Sequence, residues 1–547
     1  MTDHSSKALV PQGPTSLSPT SRLAERTIVE RAEREARALA IGRTLVVRPG
    51  GYATIGAAVE AARDGDTILV RPGRYEESVV IENKSIAIRG DGDRDAIVVG
   101  CDDGPAFTLV DNCSILTGLT ISGGDLRTDV EQYGPALWVD GGAPEIRDLR
   151  VVAGGFVLFK GGAAGVIVDS RVDSNQFGVV VREGASPRIE GNDIRAGQGG
   201  IAINGIGSNP IVRVNRVHDG QGFGIVVSGG SSSLIEENEV ESSANAGIVI
   251  TDAGSYPLVV RNRVHDGRNH GILVTKGASP RIEENLVWGN AYAGIGILHA
   301  GSDPFVRANR VHDNQAGGIL VAEGACPRVE ENEVWGNPHA GIGIRDAGTN
   351  PVVRANRAHD GPESGIFVGL GASPRVEEND ISGNTLVGIA IGDAGTEPFV
   401  RANRVHAGHG SGIHVQKGAS PRIEGNQIWA NAKVGIEIRD AATCPVVRAN
   451  RIHDGHGHGI TVSEGARPRI EGNEIRANAK SGIVVRGAGS DPLVQANRIH
   501  NGQGDGIWID EGASPTISGN TITGNSLEPI HVDEGSAPKI DQNIVTA

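Results

Sequence analysis

Seven histidines recur every 47 residues: His218, His265, His312, His359, His406, His453 and His500, most of them followed by Asp. A His–Asp pair is what general-base chemistry uses. A reaction needs one constellation, however, and a dyad copied seven times reads as a repeat element. Trp288, Trp335 and Trp429 take the same place half a period away. The expectation is therefore imidazole stacked on indole, with the Asp capping the turn. The sharper reading is a ledge for a peptide or glycan, because exposed Trp suits both. A second group breaks the repeat: His406, His409, His414, His453, His456 and His458, with Glu437 and Asp440 between them. His453-x-x-His456-x-His458 has the residue types to chelate a metal from one loop. Equivalent positions two turns apart are about 10 Å away, too far to share an ion. Surface histidines in Gly-rich turns are the better reading, and neither a metal nor a cofactor is expected. A third group, Asp102, Asp103, Asp125 and Asp129, lies at a loop insertion from Gly123 to Gly142. That is the clearest place for an enzyme site, but no catalytic residue is assigned.

The elements that position these side chains follow from one column of asparagines: Asn192, Asn215, Asn238, Asn262, Asn285, Asn309, Asn332, Asn356, Asn379, Asn403, Asn426, Asn450, Asn473, Asn497, Asn520 and Asn543. The steps are 23 or 24 residues, and two steps make the 47-residue double repeat. A fixed period of this length means a solenoid. No step holds an amphipathic helical run. Each holds three short alternating pieces, Pro-x-Ile/Val, Asn-x-Ile/Val and Gly-Ile-x-Val, punctuated by Gly, Asn, Asp and Ser. The fold class this predicts is all-β: a right-handed parallel β-helix solenoid of roughly twenty turns, a rod on the order of 100 Å long at ~4.8 Å per turn. The asparagines would form an inward ladder in which each buried amide satisfies its neighbours.

Outward columns then share surfaces. The middle residue of Gly-Ile-x-Val runs Val226, Val249, Leu273, Gly296, Leu320, Gly343, Phe367, Ala390 and His414. Large and small residues alternate from Leu273 to Ala390, which predicts an exposed apolar ridge with gaps, and such strips seldom lie unused. Beside the asparagines, Glu and Arg alternate from turn to turn, as in Glu190, Arg213, Glu236 and in Asp193, Arg216, Glu239. Stacked charges of alternating sign make ion-pair ladders, each exposed pair worth ~0.2–1 kcal/mol.

The chain has 547 residues and a net charge of −15. Arg alternates with Glu, no basic stripe forms, and a nucleic-acid partner is not expected. Nothing resembles a signal peptide or a membrane span, which predicts a cytoplasmic protein with no membrane partner. Cys326 and Cys444 sit five turns apart, roughly 24 Å, too far for a disulfide. In order, the chain reads as a Ser/Thr/Pro-rich disordered tail (1–20), an additional N-terminal helix (21–41), a strand and short capping helix from about Ala53 to Arg63 (42–66), irregular β-helix coils (67–190) and the regular array (191–547). Ser170, Leu149 and Leu119 stand where the asparagine would be. Ile55, Ala58, Val59 and Ala62 would cover the open interior of the first coil.

The N-terminal block resembles the start of pectin-lyase-fold β-helices, including NosD-like proteins and carbohydrate-acting enzymes. The string NPVVRANRAHDG…GIFV…GASPRVEENDISGN resembles the β-helix repeats of F-box proteins, the substrate receptors of cullin-type ubiquitin ligases. No F-box or zinc finger accompanies it here. The resemblance implies a rod that presents a protein-binding face. The functional expectation is a non-catalytic scaffold for partner proteins, using Val226, Val249, Leu273, Leu320, Phe367 and His414 together with Trp288, His312, Trp335, His359 and Trp429. One alternative is a carbohydrate-active lyase, epimerase or hydrolase, with a glycan as ligand. Another is a rod that assembles end to end.

Overall fold

The computed structural model describes residues 42–48, 51–102, 104–123, 134–152 and 155–546. The predicted tail (1–20), the predicted helix (21–41), Asp103 and most of the 123–142 insertion, including Asp125 and Asp129, lie outside the described residues.

The chain is a parallel β-solenoid of about 21 turns. One turn shows the plan: a first strand Arg328–Glu330, a second strand Glu333–Trp335 and a third strand Ile342–Arg345. Each pairs in parallel with the same strand of the turn above and below, as in Glu330↔Arg354, Trp335↔His359 and Gly343↔Phe367. Alternation puts Val329, Val334, Ile342 and Ile344 inside, where all four are fully buried. The first and second strands meet at a sharp bend. The residue before each ladder asparagine takes a left-handed conformation there, as at Ala308 (φ 53°), Glu331 (φ 56°) and Ala355 (φ 54°). That bend turns the asparagine side chain inward.

The ladder is continuous from Asn192 to Asn543. Asn332 is typical: its Nδ2 donates to Asn356 Oδ1 at 2.9 Å, and its Oδ1 accepts from the backbone N and the Nδ2 of Asn309, both at 2.9 Å. The substitutions in earlier coils follow the same logic. Ser170 N donates to Asn192 Oδ1, and Leu149 N donates to Ser170 Oγ. Leu149 then stacks on Leu119.

A second amide column runs five residues after the first, which the sequence reading missed. Asn290 Nδ2 donates to Asn314 Oδ1 at 2.9 Å, and Asn314 Nδ2 to Asn337 Oδ1 at 3.1 Å. Further along, Asn384, Asn431 and Asn478 accept from Gly361 N, Gly408 N and Gly455 N. It closes the turn between the second and third strands.

The solenoid starts with strand Thr44–Val47, paired on Thr67–Val70, and a helix Ile55–Ala61. Ile55, Ala58, Val59 and Ala62 are all buried, as a cap requires. The helix is shorter than the predicted 53–63 span. Thr54 is extended and caps it by accepting from Ala57 N, and Ala62 is extended at the other end. Lys84 Nζ donates to the Val59 and Ala62 carbonyls at that end.

The ion-pair columns need one correction. In the column after the asparagine, turns do pair, as Arg310–Glu333 (3.4 Å) and Arg357–Glu333 (3.0 Å). In the column two before it, Arg213–Glu190 pairs directly at 2.7 Å. Farther along, Arg307 and Arg354 reach diagonally to Glu331 and Glu378, while Glu330 and Glu377 pair within their own strands to Arg328 and Arg375. A long guanidinium stem reaches the carboxylate at the bend more easily than the one directly above.

Candidate ligand-binding face

The second strands carry the histidine and tryptophan column. Five rings stack without a break, His265, Trp288, His312, Trp335 and His359, with centroid separations of 4.1, 6.1, 4.3 and 5.8 Å. The stack stops where Ser382 takes the place of a ring, then resumes as His406, Trp429 and His453. Most of the imidazoles are held by the following carboxylate, as His312 Nδ1 by Asp313 Oδ2 and His359 Nδ1 by Asp360 Oδ2, both at 2.8 Å, whereas His406, followed by Ala407, bonds Asp380 Oδ1 of the preceding turn through Nε2. Arg263 and Arg310 lie over the Trp288 and Trp335 rings at 5.4 and 5.3 Å. His218 shows the balance of forces. Burial acts to lower its pKa, but hydrogen bonds with Asp219 and Asp193 outweigh that and leave it raised. Ring planes lie across the rod axis, so each indole spends its faces on the neighbouring imidazoles and turns only an edge to solvent. A flat stacking surface for a sugar is not available there.

The third strands carry the apolar column, and it is less exposed than expected. Val226, Leu273, Leu320, Phe367 and His414 are half-buried, and Val249 is 6% exposed, so Val249 presents no surface to a partner. His270, two residues before the first Ile of its third strand, folds over the column. At Gly296 this closes the gap completely: a Cβ there would lie 2.7 Å from the His270 ring. His270 is itself buried, and desolvation pushes its pKa down to about 4. It meets Tyr292 edge to face at 4.7 Å.

One double repeat later the counterpart of His270 is Gly317, and the gap stays open. Gly343 has no atom nearer its Cβ direction than Leu320 Cδ1 at 3.7 Å and Ala340 Cβ at 3.9 Å. The result is a depression of about 300 Å³ walled by Tyr292, Leu320 and Phe367 and rimmed by His339, Glu363 and Arg345. His339 Nδ1 lies 3.4 Å from Glu363 Oε1. The site thus joins two aromatic walls to a carboxylate, an imidazole and a guanidinium.

The candidate metal group is scattered. His406 and His453 are in the ring stack, His414 is on the third face beside Glu437, and His458 lies 6.4 Å from Trp508. Among the described residues no group of three or more His, Cys, Asp or Glu side chains is placed to hold a metal ion. Sequence reasoning found the third-face column but missed Tyr292, His339, Arg345 and Glu363. Their only signal was the pairing of Gly317 with Gly343.

A coil of parallel strands with a buried amide ladder defines the class of parallel β-helix proteins. A family model described as "Right handed beta helix region" matches residues 155–310, 296–405 and 397–545, and the chain belongs to that family. No curated protein matches the chain. Among solved structures it is similar to a PL6 family alginate lyase, AlyGC, at 11% identity and a TM-score of 0.34, over 92% of this chain and 100% of that one. It is also similar to a double mutant of the periplasmic alginate epimerase AlgG (12%, 0.33, over 71% and 78%) and to XylC in complex with xylose (10%, 0.36, over 54% and 75%). At such identities and scores the likeness carries no functional weight. Among the described residues no helix is long and apolar enough to cross a membrane.

Proposed function

We propose that the chain is a carbohydrate-active β-helix that holds a saccharide chain along its third face, with one unit seated in the depression at Gly343. The depression carries the reading. Its volume of about 300 Å³ is at the lower end of small-molecule sites. Its walls are aromatic and aliphatic, which suits the C–H face of a pyranose, and its rim carries groups that hydrogen-bond hydroxyls. Arg345, which makes no ion pair among the described residues, favours a carboxylated unit there. Leu320 and Phe367, on the turns directly before and after Gly343, bound the depression along the rod axis, so it seats a single unit.

The test is titration calorimetry with oligogalacturonates and matched cello-oligosaccharides. Wild type should bind at least one series. Gly343→Leu should fill the depression and weaken binding about tenfold or more without lowering the melting temperature, because the space beside Gly343 is open. Equal binding by wild type and Gly343→Leu sinks the proposal.

A second reading, a scaffold for partner proteins, draws on Tyr292, Leu370 and Leu386, which are 43%, 53% and 53% exposed around the same face, and on the repeat's resemblance to F-box receptors. It expects a Leu320→Glu/Phe367→Glu variant to lose a specific protein that wild type captures, with no saccharide binding by either.

A further inference from the structure

Charge is unevenly spread along the rod. Residues 401–500 carry fourteen Lys and Arg against eight Asp and Glu, whereas the whole chain has a net charge of −15. The excess has a local origin at the bend between the first and second strands. In the central turns this bend carries two glutamates that tie down the neighbouring arginines. Glu331 pairs with Arg307 at 2.7 Å, and Glu333 lies between Arg310 of the turn before (3.4 Å) and Arg357 of the turn after (3.0 Å). Two double repeats later the same arginines recur as Arg401, Arg404 and Arg451, but the glutamates are replaced by Gly425 and Gln427. Glu378, which pairs with Arg354 at 2.8 Å, is likewise replaced by Gly472, and Arg354 by Arg448.

The framework around the lost carboxylates is unchanged. Register places Gln427 between Arg404 and Arg451, and Glu424 between Arg401 and Arg448. Gly425 keeps the left-handed bend, with φ 63° against 56° at Glu331, and no other atom lies within 4 Å of its Cβ direction. Arg401 and Arg448 are exposed and make no ion pair among the described residues. The carboxylates beside them are already taken, Glu377 by Arg375 and Glu424 by Arg422, both at 2.9 Å. Arg404 and Arg451 keep only long contacts, to Asp380 at 3.7 Å and to Glu474 at 3.6 Å, and are 56% and 66% exposed. Three guanidiniums therefore stand within reach of a bend that has lost two negative charges.

We propose that the Gly425–Gln427 bend binds a phosphate monoester carried by a partner peptide. At Glu333 the arginines of both adjoining turns reach one carboxylate, so an external group beside Gln427 meets guanidiniums from both sides. The group has to supply what the bend lost. A carboxylate in an exposed ion pair contributes little. A phosphate monoester brings nearly two negative charges and three acceptor oxygens, and arginine forks bind it bidentately. The bend is an open edge of the rod, whereas small-molecule sites are concave and enclose their ligand; a phosphorylated side chain on a peptide reaches such an edge. Single-stranded nucleic acid also needs a stacking platform, and the faces of Trp429 are occupied by His406 and His453. The site lies on a different edge from the depression at Gly343 and does not depend on it.

The experiment uses the full chain at low ionic strength, where exposed charges are least screened. Calorimetric titrants are a phosphoserine peptide, its unphosphorylated form, inorganic phosphate and a galacturonate hexamer. Wild type should bind the phosphopeptide about tenfold or more tightly than the unphosphorylated form. Gly425→Glu/Gln427→Glu restores the glutamates of the central turns. It should weaken phosphopeptide binding about tenfold or more and melt no lower than wild type, because Glu331 already takes this backbone conformation. Glu331→Gly/Glu333→Gln should create a second site of comparable affinity, and Gly343→Leu should leave phosphopeptide binding unchanged. The proposal is overturned if wild type does not bind the phosphopeptide, if Gly425→Glu/Gln427→Glu binds it equally well, or if Glu331→Gly/Glu333→Gln gains no site. Competition by the hexamer as strong as by the phosphopeptide overturns the phosphate assignment. Binding of inorganic phosphate without the phosphopeptide marks an adventitious ion only and overturns it as well.

Discussion

Replacing Asn332 by alanine tests the amide ladder at its centre. The side chain is 1% exposed. Its Nδ2 donates to Val306 O, Glu330 O and Asn356 Oδ1 at 3.0, 3.0 and 2.9 Å, and its Oδ1 accepts twice from Asn309. After truncation, Asn309 Nδ2 keeps the carbonyls of Ile282 and Arg307. Asn356 Oδ1 keeps the backbone N–H of Asn332. The Asn309 backbone N–H keeps nothing, and one orphaned buried donor costs about 1–3 kcal/mol. Serine should recover part of the loss, because Ser170 already serves in this column by accepting from Leu149 N. The order of stability should be wild type, then Asn332→Ser, then Asn332→Ala. Solenoids unfold by neighbouring units, so hydrogen exchange at the Asn309 amide is the right assay, supported by urea denaturation. Exchange at Asn309 should accelerate by about ten- to a hundredfold in the alanine variant. Unchanged protection there, or serine less stable than alanine, would refute the reasoning.

Three further outcomes are expected. His270 stays neutral in the fold down to about pH 4, whereas in the unfolded chain it takes up a proton near pH 6.5. Unfolded chains then bind more protons between those values, so its stabilising contribution is full above pH 6.5 and is lost as pH falls towards 4, by about 3 kcal/mol in all; a His270→Gln variant should show a shallower acid limb in urea midpoints. Trp335→Ala should lower stability by about 3 kcal/mol or more, as a large partly buried ring is lost between His312 and His359, and leave saccharide affinity unchanged; a selective loss of binding would restore the second face as the site. Asp66, whose pKa is brought to about 2 chiefly by its hydrogen bond from Arg43, contributes stability that is present above pH 4 and lost as pH falls towards 2; Asp66→Asn should abolish that dependence and raise exchange at Thr67.

The ladder and the three-strand turn were legible because a buried amide is satisfied best by another amide above and below it, so asparagine repeats at every turn from Asn192 to Asn543. The second ladder at Asn290, Asn314 and Asn337 was hidden by its own irregularity: Gly361, Gly408 and Gly455 replace every other amide farther along. The His/Trp stack was readable from spacing, since rings in register at one turn's separation must face each other. Exposure of the third-face ridge was not. It depends on residues such as His270 that fold across from the preceding bend, and sequence offset says nothing about where a flexible bend aims its side chain. The depression was invisible for a related reason. It arises where Gly317 and Gly343, 26 residues apart, both lack a side chain at the same point in space.

Hydrogen exchange of the full chain with and without a bound oligogalacturonate hexamer tests the central claim most directly. The account predicts added protection confined to third-face amides and the bends beside them, from Tyr292 to Phe367, where the depression lies. Protection along Trp288–His359 on the second face, or no protection anywhere at saturating hexamer, would contradict it.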